Sequence, residues 1–176
     1  MIKSVFGQRW VQALGFAAWV VAAVVAQQSA VPALPAKPGI AAGAVKAGSA
    51  SVTLAHAYAL GPIDSGGTVY QIVLTNNPIP ADALAKELAR GGQSLLKSGK
   101  LQGIGMLVDE SGFIRNIVPY IGELRGSSML ASAGQLESFA ATARGVTGRG
   151  SKVTGDTMGQ GWSYVASWNA ALVKPQ

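Results

Sequence analysis

Two short runs of alternating residues, joined by a glycine-rich turn, constrain the fold of this chain more than any other feature. The runs cover residues 51–60 and 68–75, and Gly66 and Gly67 lie between them. Alternation with a period of two is typical of a β-strand, and glycine gives the backbone freedom that a tight turn needs. The sequence therefore predicts an antiparallel hairpin. The residues expected on one face of its first strand are Val52, Leu54, His56, Tyr58 and Leu60.

The later part of the chain repeats this pattern around further turn signals. Apolar runs at 101–108 and 113–118 flank the sequence Asp-Glu-Ser-Gly, which predicts a second hairpin with Gly112 in the left-handed conformation. Within the first of these runs, Gly103 and Gly105 predict a bulge or a closely approaching backbone. Shorter strands are predicted at 129–133, 135–143 and 145–153.

The last apolar run, residues 162–170, predicts a strand that supplies the largest side chains of the core. Trp162, Tyr164 and Trp168 fall on one face of it, and aromatic rings bury a large area each. About seven or eight short strands, with 23 glycines and only 12% charged residues in the chain, are typical of a mainly β fold. We expect an antiparallel β-sandwich or a small barrel-like domain, and the pattern leaves these two architectures open.

One helix is predicted after the first hairpin. Pro80 can begin a helix, and residues 81–90 are strong helix formers with Leu84 and Leu88 one turn apart. A further turn is predicted at 93–98. We expect this helix to cap the sheet.

The N-terminal segment has the pattern of an export signal. Lys3 and Arg9 precede an apolar stretch that ends in small residues, which predicts a signal peptide over residues 1–26 with cleavage after Ala26, or after Ala30 as a second choice. The alternative is an uncleaved anchor, because the stretch is close to the roughly 17 residues that a spanning helix needs. In both cases we expect an extracytoplasmic domain, periplasmic or secreted, which contacts a membrane only if the segment is uncleaved.

Residues 27–48 are rich in proline, alanine and glycine. Pro32, Pro35 and Pro38 are spaced three apart, which favours an extended polyproline-like chain. We therefore expect a mobile linker over 27–48, followed by a β-rich domain over 49–176.

Charge and cysteine content exclude several classes of function. The formal charge is +6, and no run of five like charges occurs, so no nucleic-acid partner is expected. The chain contains no cysteine, which excludes disulfides and thiolate metal sites. An exported domain without disulfides fits a bacterial periplasm better than a eukaryotic secretory route.

Several of these segments resemble a group of exported bacterial β-rich proteins that carry the motif Leu-x-His-Ala-Tyr-Ala followed by Leu-Leu-Thr-Asp-x-Pro. The segments that carry the resemblance are 52–59, 72–80, 101–104 and the aromatic run near the C-terminus. Asn76 or Asn77 stands where that group has its acidic residue. The resemblance spans about residues 51–169 and implies an extracytoplasmic β domain. It implies no activity.

His56 is the only histidine and the main candidate for chemistry. It could act as a general base near neutral pH, and a metal site would need partners such as Asp64, Asp109 or Glu123. A lone histidine in a strand is more often a core residue with a hydrogen bond across the sheet. We therefore predict no catalytic residue, no metal and no cofactor, and we name His56, Tyr58 and Tyr70 as binding candidates.

Other motifs have simpler interpretations as structure. The sequence around Ser127 and Ser128 lacks the flanking glycines of a serine nucleophile elbow. Asp109 and Glu110 are adjacent, so they suit a turn better than the paired carboxylates of a glycosidase.

Three functional hypotheses follow. The first is a non-catalytic module that binds a ligand, a surface or an envelope protein. The second is a hydrolase-like or metal-dependent site centred on His56. The third is a structural subunit that pairs through a sheet edge.

Overall fold

The computed structural model describes residues 30–63, 69–89, 93–125, 134–157 and 160–173, which form a mainly β architecture. The strands before the helices are β1 (Ile40–Ala47), β2 (Ala50–Leu60) and β3 (Val69–Thr75). The helices are α1 (Ala81–Ala89) and α2 (Gln93–Lys97). The strands that follow are β4 (Gly103–Asp109), β5 (Ile114–Ile121), β6 (Leu124–Arg125), β7 (Ser138–Ala141), β8 (Gly145–Thr157) and β9 (Gln160–Val173).

All strands belong to one sheet with the order β6-β5-β4-β3-β2-β1-β9-β8-β7. Neighbours in this order pair antiparallel, and β2 also makes a short parallel pairing with β9. The sheet curls into a half-barrel, in which Phe113, just before β5, forms a bridge with Gln135, shortly before β7. The mainly β fold is confirmed, and of the two architectures that the sequence left open the structure has the barrel-like one.

Both predicted hairpins are confirmed where the structure describes them. Ala57 pairs with Leu74 in the β2–β3 hairpin, whose turn at 64–68 lies outside the described residues. In the β4–β5 hairpin Met106 pairs with Ile117, and Gly112 has a φ of 81°. The C-terminal predictions at 135–143 and 145–153 correspond to β7 and to a longer β8. The strand predicted at 129–133 also lies outside the described residues.

The prediction that one face of β2 holds all five alternating residues is wrong. Leu54 packs in the inner core, but Ala57 takes the next inward position, and Leu60 packs on the outer face. The cause is a bulge in the pairing with β1, where the register shifts between Ile40 and Gly43. An extra residue in one strand reverses the alternation of side chains beyond it.

The inner core is built around the aromatic residues of β9, as the sequence predicted. The side chains of Trp162 and Trp168 are 2% and 0% exposed. They need small neighbours on the adjacent strands. Ala47 of β1 pairs with Trp162, and a Cβ at Gly148 of β8 would collide with the ring of Trp168. The alternation of large and small residues therefore lets the sheet curl around its own aromatic rings.

A second apolar cluster covers the outer face of β3 and β5. Leu88 of α1 and Leu96 of α2 are buried against Val73 and Tyr120. The predicted capping helix is thus confirmed, and the predicted further turn forms a second helix of five residues. None of the helices in the described ranges is long and apolar enough to cross a membrane.

The expectation of a mobile linker over residues 27–48 does not hold for its second half. Strand β1 lies there, between β2 and β9 near the middle of the sheet. Its small residues suit that position, because they face the aromatic rings of β9. Before it, residues 31–36, here called the strap, lie on the outer face of β8 and β9. The predicted signal peptide, residues 1–26, lies outside the described residues.

Candidate functional site

A cavity opens on the outer face of β3, β4 and β5, beside the C-terminal end of α1, and is here called the outer cavity. Two rows of paired residues form its floor. The first row runs across the sheet from Gln71 of β3 through Leu107 of β4 to Asn116 of β5. In the second row Gly105 of β4 lies between Val73 of β3 and Val118 of β5, and the absence of a side chain at Gly105 creates the space. The volume is about 230 Å³. The cavity is thus a product of the glycine spacing in β4.

The lining of the outer cavity is mostly apolar and carries no formal charge. The residues that line it are Ile63, Gln71, Gly105, Met106, Leu107, Asn116, Val118 and Tyr120. Ligand sites commonly combine apolar walls with a few fixed polar groups. Here those groups are two amides and one phenol.

The amide of Gln71 is held by the helix. Its Nε2 donates a hydrogen bond of 3.1 Å to the carbonyl oxygen of Leu88, in the last turn of α1. Carbonyl groups in the last turn of a helix have no intrahelical partner, so Gln71 satisfies one that would otherwise need water. This contact fixes both the end of α1 and the orientation of the Gln71 amide.

The side-chain amide of Asn116 has one atom that makes no hydrogen bond among the described residues. Its Oδ1 is buried and has no hydrogen-bond partner among the described residues. Leaving such a group unsatisfied costs about 1–3 kcal/mol. Rotation of the amide by about 180° would place Nδ2 there and leave a donor unsatisfied instead. A ligand with a complementary polar group would remove that cost.

Tyr120 closes one side of the outer cavity. Burial raises the pKa of its phenol above the ordinary value of 10.0. The group therefore stays protonated at neutral pH and can donate a hydrogen bond. Its ring also belongs to the apolar cluster under the helices, so it connects the cavity to the helix packing.

The three predicted binding residues are not brought together. His56 and Tyr58 lie on the outer face of β2, whereas Tyr70 lies on the inner face and packs against Phe139 with ring centroids 6.0 Å apart. The hydroxyl oxygen of Tyr58 accepts a hydrogen bond of 2.9 Å from the backbone N–H of Ile79. Tyr58 thus holds the loop that leads into α1.

The structure gives His56 no carboxylate partner among the described residues. His56 pairs with Thr75, which pairs with Gly103 at the start of β4. Asp109 ends that strand, six residues or about 20 Å further along. Within the described ranges no group of three or more metal-ligating side chains lies close enough to hold an ion. Asp64, another partner considered above, lies outside those ranges.

Asp109 instead organises the β4–β5 turn. Its Oδ1 accepts hydrogen bonds from the hydroxyl of Ser111 at 2.6 Å and from the N–H of Phe113 at 3.1 Å. The Ser111 hydroxyl, with smaller contributions from backbone N–H groups and Arg115, holds the pKa of Asp109 below its ordinary value. The interpretation as a turn residue agrees with this geometry.

Comparison with protein families, curated proteins and solved structures found no match to this chain. The candidate site is therefore defined by its geometry.

The sequence analysis did not identify Gln71, Asn116 or Tyr120 as site residues. The sequence does contain a signal for two of these residues. Gln71 and Asn116 are polar residues within otherwise apolar strands, and Gly105 leaves a gap on the same face. Combining these signals requires the register of three strands, which the sequence alone did not provide.

Proposed function

We propose that this protein is a non-catalytic binding module that holds a small, uncharged and mostly apolar ligand in the outer cavity. The buried Oδ1 of Asn116, which has no partner in the described structure, is the observation that carries the proposal. An apolar molecule with one hydroxyl or amide group would satisfy it while covering the aliphatic wall. The proposed ligand is small because the cavity, at about 230 Å³, lies below the usual range of about 300–1,000 Å³.

The lining favours binding over catalysis. Acid–base or nucleophilic catalysis needs a titratable side chain with a partner that activates it. The described lining offers two amides and a phenol with a raised pKa. The alternative centred on His56 has no comparable support, since no hydrogen bond or ion pair joins His56 to a carboxylate among the described residues and Asp109 is about 20 Å along the sheet.

The proposed location is extracytoplasmic. The basic and then apolar N-terminal sequence, and the resemblance to exported β-rich proteins, support export. Pairing through a sheet edge has weaker support, because within the part of the chain that the structure describes the edge strands β6 and β7 have two and four residues. Short edge strands are a common way to prevent pairing with other chains.

Filling the outer cavity tests this proposal. A Cβ at Gly105 would lie 3.6 Å from Cε2 of Tyr120, an ordinary contact, so Gly105→Ala should fold, and circular dichroism checks that the larger Gly105→Val keeps the wild-type fold. We expect benzamide and cyclohexanol to bind the wild-type protein in ligand-observed NMR, and benzoate to bind at least about tenfold more weakly because its charge would be desolvated.

The two Gly105 variants should lose benzamide binding in the order of the space that their side chains fill. Gly105→Val should weaken benzamide binding at least about tenfold, with Gly105→Ala between it and the wild type. Gly134→Ala is the matched control, because the space around Gly134 is also open and it does not line the cavity. Equal binding of benzamide to the wild type and to Gly105→Val would refute the proposed site.

A further inference from the structure

The strap lies on the outer face of β8 and β9 in an unusual way, because side chains of the sheet hold its backbone. Ser167 Oγ donates a hydrogen bond of 2.8 Å to the carbonyl oxygen of Ala33. Asn169 Nδ2 donates to the carbonyl oxygen of Pro35 at 3.1 Å, and Arg149 Nη2 donates to that of Val31 at 3.5 Å. Carbonyl groups of alternate strap residues thus meet three donors in a row.

This arrangement suits an extended proline-rich peptide. Proline has no N–H, so its segments present carbonyl groups as their main hydrogen-bonding sites, and their extended form is largely preformed. Known polyproline-binding domains use aromatic-lined grooves, whereas here a row of side-chain donors on β8 and β9 meets the carbonyl groups. With the strap bound, Ser167 is 0% exposed, and the Arg149 side chain that reaches Val31 also pairs with Glu137 at 3.1 Å.

We propose that the outer face of β8 and β9 is a binding groove for extended proline-rich peptides, and that the strap is its resident ligand, tethered in cis. A peptide of the same chemistry would bind by displacing the strap. This site is separate from the outer cavity, which lies over β3 to β5, and the proposal does not depend on the function assigned to that cavity.

The strap is suited to exchange because little apolar burial holds it. Ala33 and Ala36 are exposed, and Leu34 is 45% exposed. Segments with few buried contacts are the ones that open locally while the rest of a protein stays folded. Residues 36–39 connect the strap to β1, and the backbone of Gly39, with a φ of 84°, is hydrogen-bonded to Asn169 and Ala57, so Gly39 marks where the sheet begins and the strap ends.

The tether sets the concentration that a competitor needs. A short flexible connection gives a local concentration of the order of 1 mM, so a free peptide with equal contacts must reach about that level. A variant that weakens the strap and leaves the groove intact should lower this threshold.

The test uses the full chain with one reporter. The sequence contains no cysteine, so Leu34→Cys provides a single site for a nitroxide label on an exposed strap residue. The probe is a synthetic peptide with the sequence of residues 30–38. We expect an immobilised spectrum without peptide and a saturable rise of the mobile fraction, with a midpoint of the order of 1 mM. A peptide with alanine in place of its three prolines should need at least about tenfold more.

Two variants distinguish an effect on the groove from an effect on the strap. Pro35→Gly makes only the strap more flexible, so the midpoint for the added peptide should fall several-fold. Ser167→Ala removes a groove donor from the strap and the peptide alike, so the label should become more mobile before peptide is added, while the midpoint for the added peptide should stay within about twofold of the parent's because the tether sets it. A label that stays immobilised at every peptide concentration in both Pro35→Gly and the Leu34→Cys parent would overturn the proposal and leave the strap a purely structural element.

Discussion

The outer face of the sheet is covered in two different ways. Over β3 to β5 the cover is α1 and α2, which bury Leu88 and Leu96 against apolar strand residues. Over β8 and β9 the cover is the strap, which contributes exposed alanines and a half-exposed leucine and is held by three side-chain donors. One cover depends on buried area and the other on directed hydrogen bonds.

The difference shows which cover can move. Each fully buried leucine contributes about 1.5–3 kcal/mol, and removing it leaves a cavity that adds to the loss. A neutral hydrogen bond contributes a net value of about 1 kcal/mol, and ordering the strap backbone opposes it. The helices should therefore open only when the protein unfolds, whereas the strap should open on its own.

The largest expected effect comes from the helix cover. Leu88→Ala should lower the free energy of unfolding by about 3 kcal/mol, because Leu88 is 0% exposed. Leu34→Ala in the strap should change it by about 0.5 kcal/mol or less. Urea unfolding followed by tryptophan fluorescence measures both. Similar losses for the two leucines would remove the distinction between the covers.

The single described hydrogen bond between the strands and α1 gives a smaller effect. Gln71→Met keeps the shape of the side chain but leaves the Leu88 carbonyl without its donor. We expect a loss of about 1–2 kcal/mol in unfolding free energy and faster amide exchange in the last turn of α1. An unchanged exchange rate there would show that water satisfies the carbonyl equally well.

The strap should respond to the loss of one donor by about 1 kcal/mol at most. Ser167→Ala removes the bond to the Ala33 carbonyl. Ser163→Ala is the matched control, because Ser163 lies on the same face of β9, and its side chain has no hydrogen bond among the described residues. Limited proteolysis near residues 31–36 should accelerate only in Ser167→Ala. Equal acceleration in both would point to a general loosening of β9.

The smallest effect is confined to alkaline pH. Burial raises the pKa of Tyr120, so the protonated phenol stabilises the fold fully below about pH 10. As pH rises further, the unfolded chain loses its proton first, and this contribution is lost through the folded pKa. Tyr120→Phe should therefore show a shallower fall in unfolding free energy between about pH 9 and pH 11. Tyr164, whose pKa burial also raises, is present in both proteins. Parallel curves would contradict the raised pKa.

Much of the fold could be predicted because local patterns decide it. Trp162 and Trp168 alternate with smaller residues such as Ser163 and Ser167, and a strand places both rings on one face, where they are buried. Strand β1 was missed because alanine and glycine carry little strand preference of their own. Its position depends on the large residues of β9, which lie far away in the sequence.

The site was harder to predict than the fold. His56 drew attention because it is unique in the composition, yet uniqueness says nothing about neighbours. Gln71 and Asn116 lie on strands that are separated by β4, and their common wall exists only through the pairing of both with Leu107. The bulge between β1 and β2 could not be predicted from the alternation either. It changes the face of the sheet on which the later residues of β2 lie.

The pairing of β1 with β9 has a consequence for the order of folding. The half-barrel cannot close until its last strand is synthesised, because β9 alone joins β1 to β8. Contacts between such distant parts of a chain form slowly, since a long loop must close first. If the chain is exported unfolded, the seam between β1 and β8 would stay open until β9 has followed the other strands across the membrane.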